Sequence, residues 1–308
     1  MQALALDIGA TKLGVALVGA DGEPTGWRTT PTRRDEGPDA VLERLFALAD
    51  GLLADRGPAD AAGISCGGPL DPRRGLLLGP LHLPGWDRVP IVRLVEERFG
   101  LRAHLLNDAS AGAWGEFRHG AARDAASSLY LTVSSGMGGG AVVDGRLLVG
   151  ASGNGGEPGH VLVRAGGRRC LCGRRGCAEA YVAGTQMAAR VREERALRPT
   201  ALPEDATAEQ VFALSGSDEL AHEIWTDGVE ALASAVVTLV NVLEPEVVVI
   251  GGGLTNAGEA LLGPVRTAVA EQAMAPIAAV ARVVPAALGA PVCAVGIGAW
   301  ALEQEADA

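Results

Sequence analysis

Three cysteines fall within eight residues, Cys170-Leu-Cys172-Gly-Arg-Arg-Gly-Cys177, and His160 stands ten residues before the first of them. Three thiolates and one imidazole make a closed tetrahedral ligand set for Zn2+, and a closed set with no position for water is structural. Short-spaced thiols in a chain that opens without a signal peptide read as metal ligands rather than disulfides. Cys66 and Cys293 stand alone and read as small core residues. Carboxylates bracket the cluster, Glu157 in Gly-Glu-Pro-Gly-His160 and Glu179 just after Cys177. Together with the imidazole nitrogen turned away from the metal, they could orient the hydroxyls of a ligand.

Four further segments place polar groups or bare backbone at the ends of apolar runs. In Asp7-Ile-Gly9-Ala-Thr11-Lys12, Gly9 allows a tight turn whose N–H and the Thr11 hydroxyl face phosphate oxygens. Lys12 adds a mobile positive charge, and Asp7 can hold a hydrated Mg2+. The plainer reading is a simple hairpin turn. Ser134-Ser135-Gly136-Met-Gly138-Gly-Gly140 also follows a strand, and the strand-like 141–143 comes after it. That order excludes a dinucleotide fingerprint or a Walker loop, both of which need a helix N-terminus, and fits a hairpin phosphate cradle. Asn107-Asp108 ends a strand and opens a helix. Asp108 is either an N-cap or the general base that accepts the proton of an attacking hydroxyl in phosphoryl transfer. Val247-Val-Val-Ile runs into Gly251-Gly252-Gly253, where a nucleotide base could lie on bare backbone or the chain could simply turn.

The elements that must position these groups follow from periodicity. Strands are expected over 3–8, 13–18, 60–65, 103–106, 128–133 and 247–250, with a hairpin joining 141–143 to 147–149 across Asp144-Gly145. Helical spacing marks 39–54, 91–99, 109–117, 186–195, 218–243 and 257–272, and the cysteine-rich segment reads as loop. The chain has 308 residues, 48% of them hydrophobic, enough for two lobes with sizeable cores. The formal charge of −11 argues against a general nucleic-acid binder. The apolar stretch 236–250 is broken by Asn241, Glu244 and Glu246 and does not read as membrane-spanning. No membrane partner and a cytoplasmic location are therefore expected.

Taken together, these segments resemble the ROK family (repressors, open reading frames, kinases), close to its bacterial glucokinase-like branch. The likeness runs nearly end to end, and the cysteine motif is its most specific part. It implies an α/β protein with the actin-like (ribonuclease H-like) ATPase fold, two lobes around a cleft. The small lobe would be 1–108 completed by a C-terminal helix over 295–305, and the large lobe 109–294 with the zinc loop. It implies ATP as phosphate donor, with polyphosphate open, Mg2+ with ATP, structural Zn2+ on His160, Cys170, Cys172 and Cys177, and a homodimer or homotetramer. Asp108 matches the family's base. Gly67, Gly68, Asn107, Asp108, Glu157, His160 and Glu179 match its sugar contacts. Asp7, Gly9, Thr11, Lys12, Ser135, Gly136, Gly138, Gly251 and Gly252 match its nucleotide side.

The implied reaction is phosphorylation of a hexose, with glucose at the 6-position first. N-acetylmannosamine, N-acetylglucosamine, mannose and fructose are the alternatives. Repressors share the fold, but the first strand begins at residue 3 with no room before it for a winged helix-turn-helix, and Asp108 is retained. A sugar sensor without turnover would show an eroded phosphate motif or base. Two departures stand out. The family commonly has Asn-Leu-Pro-Gly-Trp where this chain has His82-Leu-Pro-Gly-Trp86, and Thr where it has Ser135.

Overall fold

The computed structural model describes residues 1–306. In chain order the first elements are β1 (Gln2–Ile8), β2 (Lys12–Gly19), β3 (Pro24–Pro31), α1 (Pro38–Arg56), β4 (Ala61–Cys66) and the short hairpin β5 (Leu70–Asp71) and β6 (Leu76–Leu77). They are followed by α2 (Ile91–Phe99), β7 (Ala103–Asn107), α3 (Asp108–His119), β8 (Ser128–Val133), β9 (Met137–Val143) and β10 (Arg146–Leu147). Next come α4 (Glu179–Val182), α5 (Gly184–Glu194), α6 (Ala208–Leu214), α7 (Glu219–Leu243) and β11 (Val247–Gly251). The chain closes with α8 (Glu259–Gln272), α9 (Ala275–Ala278), β12 (Arg282–Pro285) and α10 (Val292–Ala306).

Two five-stranded sheets run β3-β2-β1-β4-β7 and β10-β9-β8-β11-β12. Counted from the first strand of each sheet, both have the order 3-2-1-4-5, the arrangement of the actin-like (ribonuclease H-like) ATPase fold. In the first sheet β1 pairs antiparallel with β2 and parallel with β4, and β4 pairs parallel with β7. The central strands are buried along nearly their whole length, so they read as continuous apolar runs rather than alternating ones. Helix α1 turns Val41, Leu42, Leu45, Phe46, Ala49 and Leu52 inward, opened by Pro38 in its first turn. Phe46 meets Phe99 of α2 edge to face at 5.6 Å.

The strands and helices missed in the sequence are those whose periodicity is weak. Strand β3 carries Pro24, Gly26 and Pro31, has no buried residue, and meets β2 through a register shift between Val15 and Leu17. Strand β12 has four residues and one buried side chain. Helix α6 is announced by a capping box between Thr207 and Gln210 rather than by an apolar stripe. Among the described residues α7 is the one helix long and apolar enough to cross a membrane. Half of its most apolar stretch is buried in the protein, with Leu220, Ile224, Leu232 and Val236 in the core.

The chain divides into two compact units. One holds Met1–Asp124, Gly140–Gly156 and the C-terminal stretch from Ala287; the other holds Ala125–Gly139 and Glu157–Ala286. The first unit takes in α3, beyond the boundary at 108 that the sequence suggests. The reason is a helix crossing with almost no side-chain spacing. A Cβ on Gly115 would come within 2.8 Å of the Val292 carbonyl, and one on Gly296 of α10 would run into the Ala111 carbonyl. Gly296→Ala is therefore expected to destabilise the protein by about 1–3 kcal/mol or more, because backbone rather than a flexible side chain must give way. A urea-unfolding midpoint equal to that of the unaltered chain would remove this close crossing as a determinant of stability.

Candidate active site

In the first unit, parallel pairing brings three strand ends together. Asp7 lies opposite Ser65, and Cys66 is opposite both Ile8 and Asn107. Asp7, Gly67 and Asp108 thus gather at the carboxyl ends of β1, β4 and β7, where open α/β sheets bind ligands. The Ser65 hydroxyl donates to Asp7 Oδ1 at 2.7 Å. A Cβ on Gly67 would lie 3.7 Å from Asp108 Oδ2, so the glycine leaves the carboxylate room. Asn107, not Asp108, caps α3: its Oδ1 accepts from the N–H groups of Ala109 and Ser110 at 2.9 and 3.1 Å. Asp108 occupies the first helical position, with Oδ1 accepting from Ala109 N–H at 2.8 Å. A ligand would meet the amide NH2 of Asn107 and the Oδ2 edge of Asp108.

Both carboxyls keep part of their surface exposed, yet their surroundings disfavour charge. Burial pushes Asp7 up to about 6; the Ser65 hydroxyl opposes the rise and the Asp108 charge adds to it. Burial likewise pushes Asp108 above the ordinary carboxylate range against the pull of the Ala109 N–H. A base with a raised pKa is better suited to taking a proton near neutrality.

The turn between β1 and β2 differs from expectation in one respect. The Gly9 N–H donates to the Lys12 carbonyl at 3.1 Å and closes the turn, so it does not face outward. Gly9 is needed because a Cβ would sit 2.8 Å from that carbonyl. Buried Thr32 braces the turn, its hydroxyl donating to Gly9 O at 2.7 Å and its N–H to Thr11 O at 3.0 Å. Thr11 and Lys12 are left exposed.

In the second unit the glycine-rich segment is shorter as a loop than the sequence suggests, since β9 already begins at Met137 and takes in Gly138. What remains is Ser134-Ser135-Gly136, closed by Ser134 N–H donating to Gly136 O at 2.9 Å. It rests on the start of α5: Gly184 N–H donates to Ser134 O at 2.8 Å and the Thr185 hydroxyl to Ser135 O at 2.7 Å. Strand β11 ends at Gly251, and Gly252 has φ 88°, where a side chain would also strike the Val133 carbonyl. The bare backbone expected there is thus required by the turn itself.

His160, Cys170, Cys172 and Cys177 offer ligand atoms that all lie within 4.8 Å of one another. Cys172 Sγ and Cys177 Sγ are 3.7 Å apart, as are Cys170 Sγ and His160 Nδ1. A tetrahedron with Zn–S bonds of about 2.3 Å has edges of about 3.8 Å, so the set fits zinc. His160 would bind through Nδ1 and keep Nε2 for another partner. A Cβ on Gly176 would run into the Arg164 carbonyl, so the knuckle requires glycine there. Arg164 stacks on Tyr181 at 4.8 Å and pairs with Asp227 of α7 at 3.0 Å, tying the loop to its own core. Glu179 links this loop to the glycine turn: Oε1 lies 3.5 Å from Cys170 Sγ, and Oε2 accepts from Met137 N–H at 3.1 Å. Glu157 is exposed just before the turn Pro158–His160.

The structure thus groups Asp7, Gly67 and Asp108 in one unit and His160, Glu179, the three thiols and Gly136 in the other. Ser65 and Thr32 were missed, although a hydroxyl inside the otherwise apolar Ala-Ala-Gly-Ile-Ser-Cys strand was the available signal.

A model of the ROK family matches residues 3–304. The glucokinase of Thermotoga maritima is 35% identical over 284 residues, 89% of each chain. The N-acetylmannosamine kinase of Escherichia fergusonii is 36% identical over 273 residues, covering 88% of this chain and 89% of that one. Among solved structures, the ROK hexokinase of Thermus thermophilus aligns over 100% of both chains with a TM-score of 0.84 at 32% identity. With a family match over almost every residue and relatives above 30% identity along nearly nine-tenths of its length, the chain belongs to the ROK family.

Proposed function

We propose that this protein is an ATP-dependent sugar kinase acting on a hexose, with glucose, phosphorylated at the 6-hydroxyl, as the first choice. The observation that carries the reading is the carboxylate of Asp108, held with a raised pKa beside the bare backbone of Gly67 at the ends of parallel strands. In the proposed reaction Asp108 takes the proton of the attacking hydroxyl as the γ-phosphate is transferred. Asn107, Glu157, His160 and Glu179 orient the other sugar hydroxyls, while Gly67 and Gly68 let the sugar approach the backbone. Asp7 would hold hydrated Mg2+, which supplies charge neutralisation on the phosphates. Thr11, Lys12, Ser135 and Gly136 contact phosphate, and Gly251 and Gly252 flank the nucleotide. Zn2+ on His160, Cys170, Cys172 and Cys177 holds the loop in shape and takes no part in the transfer. A cytoplasmic homodimer or homotetramer is part of the same reading.

The 36% identity to an N-acetylmannosamine kinase supports that sugar as the second reading. A coupled ADP-release assay against glucose, mannose, fructose, N-acetylglucosamine and N-acetylmannosamine separates the two. Absence of ADP release with every sugar would sink the kinase reading.

The phosphate role of Lys12 has an unusually clean test, because it is the only lysine among 308 residues. An amine-selective reagent can mark only Lys12 and the N-terminal amine. Saturating Mg·ATP is expected to slow labelling at Lys12 several-fold and to leave the N-terminal amine unaffected. Equal labelling rates at Lys12 with and without nucleotide would exclude it from phosphate binding.

A further inference from the structure

Asn154 lies in the glycine-rich stretch Ser152-Gly-Asn154-Gly-Gly, and its carboxamide is committed to one distant residue. Its Oδ1 accepts from the Leu70 N–H at 2.9 Å, and its Nδ2 donates to the Leu70 carbonyl at 2.8 Å, across 84 residues of chain. Only one orientation of the carboxamide serves both groups, since a flip would set donor against donor and acceptor against acceptor. Leu70 is fully buried, and β6 does not supply these bonds. Leu77, its partner in the β5–β6 pair, exchanges both of its backbone bonds with Val89, at 2.9 and 3.0 Å. The rung toward β5 runs instead from Leu78 N–H to Pro69 O at 3.0 Å. The N–H and C=O of Leu70 therefore face away from β6, and Asn154 serves them as a one-residue strand. The approach is close: Gly153 has φ 84°, and a Cβ on it would run into Pro72.

We propose that Asn154 is a positioning residue for the sugar: by clamping Leu70 it fixes the Gly67-Gly68 backbone against which the sugar lies, and so sets sugar affinity without entering the chemistry. The proposal rests on the kinase reading. Its support is the way the strip after β4 is held. Gly67-Gly68-Pro69-Leu70 is gripped on one edge at Gly68, whose carbonyl accepts from Leu81 N–H at 3.4 Å, and at Pro69 by Leu78. On the other edge the grip is Asn154 at Leu70. Gly67 opens this strip, and the place of its missing Cβ is 3.7 Å from Asp108 Oδ2. A glycine pair has no side chains to pack, so its course depends on the bonds made on either side of it. Asp108 itself is held separately, by the first turn of α3. A clamp on the binding surface acts equally before and during phosphoryl transfer, so its loss appears in the sugar KM rather than in kcat.

The test compares Asn154→Ala with the unaltered enzyme on its best sugar, at a temperature where both are folded. The sugar KM is expected to rise by about tenfold or more, as when a buried N–H and C=O lose their partners. The KM for ATP, and kcat at saturating sugar, should stay within about threefold. Asn154→Asp keeps the shape and the acceptor for Leu70 N–H but sets an oxygen against the Leu70 carbonyl. It is expected to weaken sugar binding in the same way, and it carries the test where the alanine variant does not fold. A sugar KM that does not move overturns the proposal. So does a parallel rise in both KM values with a fall in kcat, since that pattern marks general loosening rather than positioning. Calorimetric titration of the sugar provides a measurement independent of turnover, and the variants should show the same loss of affinity. If the unaltered chain releases no ADP with any sugar, the kinase reading fails, and the titration still decides the role of Asn154. An active enzyme whose variants bind sugar as tightly as the unaltered chain removes Asn154 alone. A chain that neither turns over nor binds any sugar overturns both.

Discussion

Replacing Asp108 by Asn is expected to lower kcat by a factor on the order of 10² or more, the usual size of a general-base contribution. Sugar binding should weaken only modestly, because the carboxamide keeps the shape and one acceptor. The cap of α3 is not at stake, since Asn107 supplies it. The same substitution should raise thermal stability near neutral pH. The Asp108 pKa is raised in the folded state above its ordinary 3.8, so over that interval the native chain binds more protons than the unfolded one. Stability contributed by this group therefore falls as pH rises through the interval, and at neutrality the ionised carboxylate is a cost. Asp7, pushed up to about 6, behaves alike from 3.8 to about 6. Asp108→Asn should raise Tm at pH 8, and the gain should shrink toward pH 4, where the unaltered carboxyl is protonated too. A kcat within a few-fold of the unaltered enzyme, at saturating sugar and Mg·ATP, would remove Asp108 from the mechanism. A Tm that falls at pH 8 would mean the carboxylate is structural.

Cys172→Ser is expected to abolish stoichiometric zinc and, with it, most activity. The loss is transmitted rather than direct, because Cys172 is not itself one of the proposed substrate contacts. The knuckle has little apolar support beyond Cys170, Cys177, Ala180, Tyr181 and Ala231, so the ion would be what closes it. His160 is both a proposed zinc ligand and a proposed sugar contact. Glu179 sits against Cys170 and holds the Met137 N–H, so a collapsed knuckle releases the turn at Ser134–Gly136 as well. KM should therefore rise for sugar first and for ATP second, and proteolysis should find new sites between 160 and 178. Metal analysis by mass spectrometry, sugar titration and limited proteolysis on one preparation check this. A variant shown to be metal-free with unchanged KM for both substrates would separate the zinc set from the site.

Much of the site was legible because its chemistry lies in contiguous motifs. The spacing of the cysteines already groups them with His160, whose candidate ligand atoms the fold brings within 4.8 Å of theirs, and the Asn107-Asp108 pair announces a strand-to-helix junction. What could not be read was which of the two residues caps the helix, since Asn and Asp serve equally well there. Register was equally invisible: that Ser65 lies beside Asp7 depends on a parallel pairing between strands 58 residues apart. The central strands were found because burial makes them continuous apolar runs, whereas β3, with no buried residue, and four-residue β12 carry no such signal. The unit boundary escaped for a related reason. It depends on Gly115 and Gly296, whose importance is the side chain they lack.

The repeated sheet order has a consequence for the division of labour within the chain. In the first sheet the next-to-last residue of the opening strand is Asp7, paired with Ser65. In the second sheet the same place is held by Thr132, paired with Gly251. A scaffold repeated twice has two equivalent positions for an acid and fills only one. An anion at both would demand a second cation and repel a polyanionic nucleotide. With a hydroxyl and a glycine there, the second copy places no charge at that position, and the proposed Mg2+ role falls to Asp7 of the first.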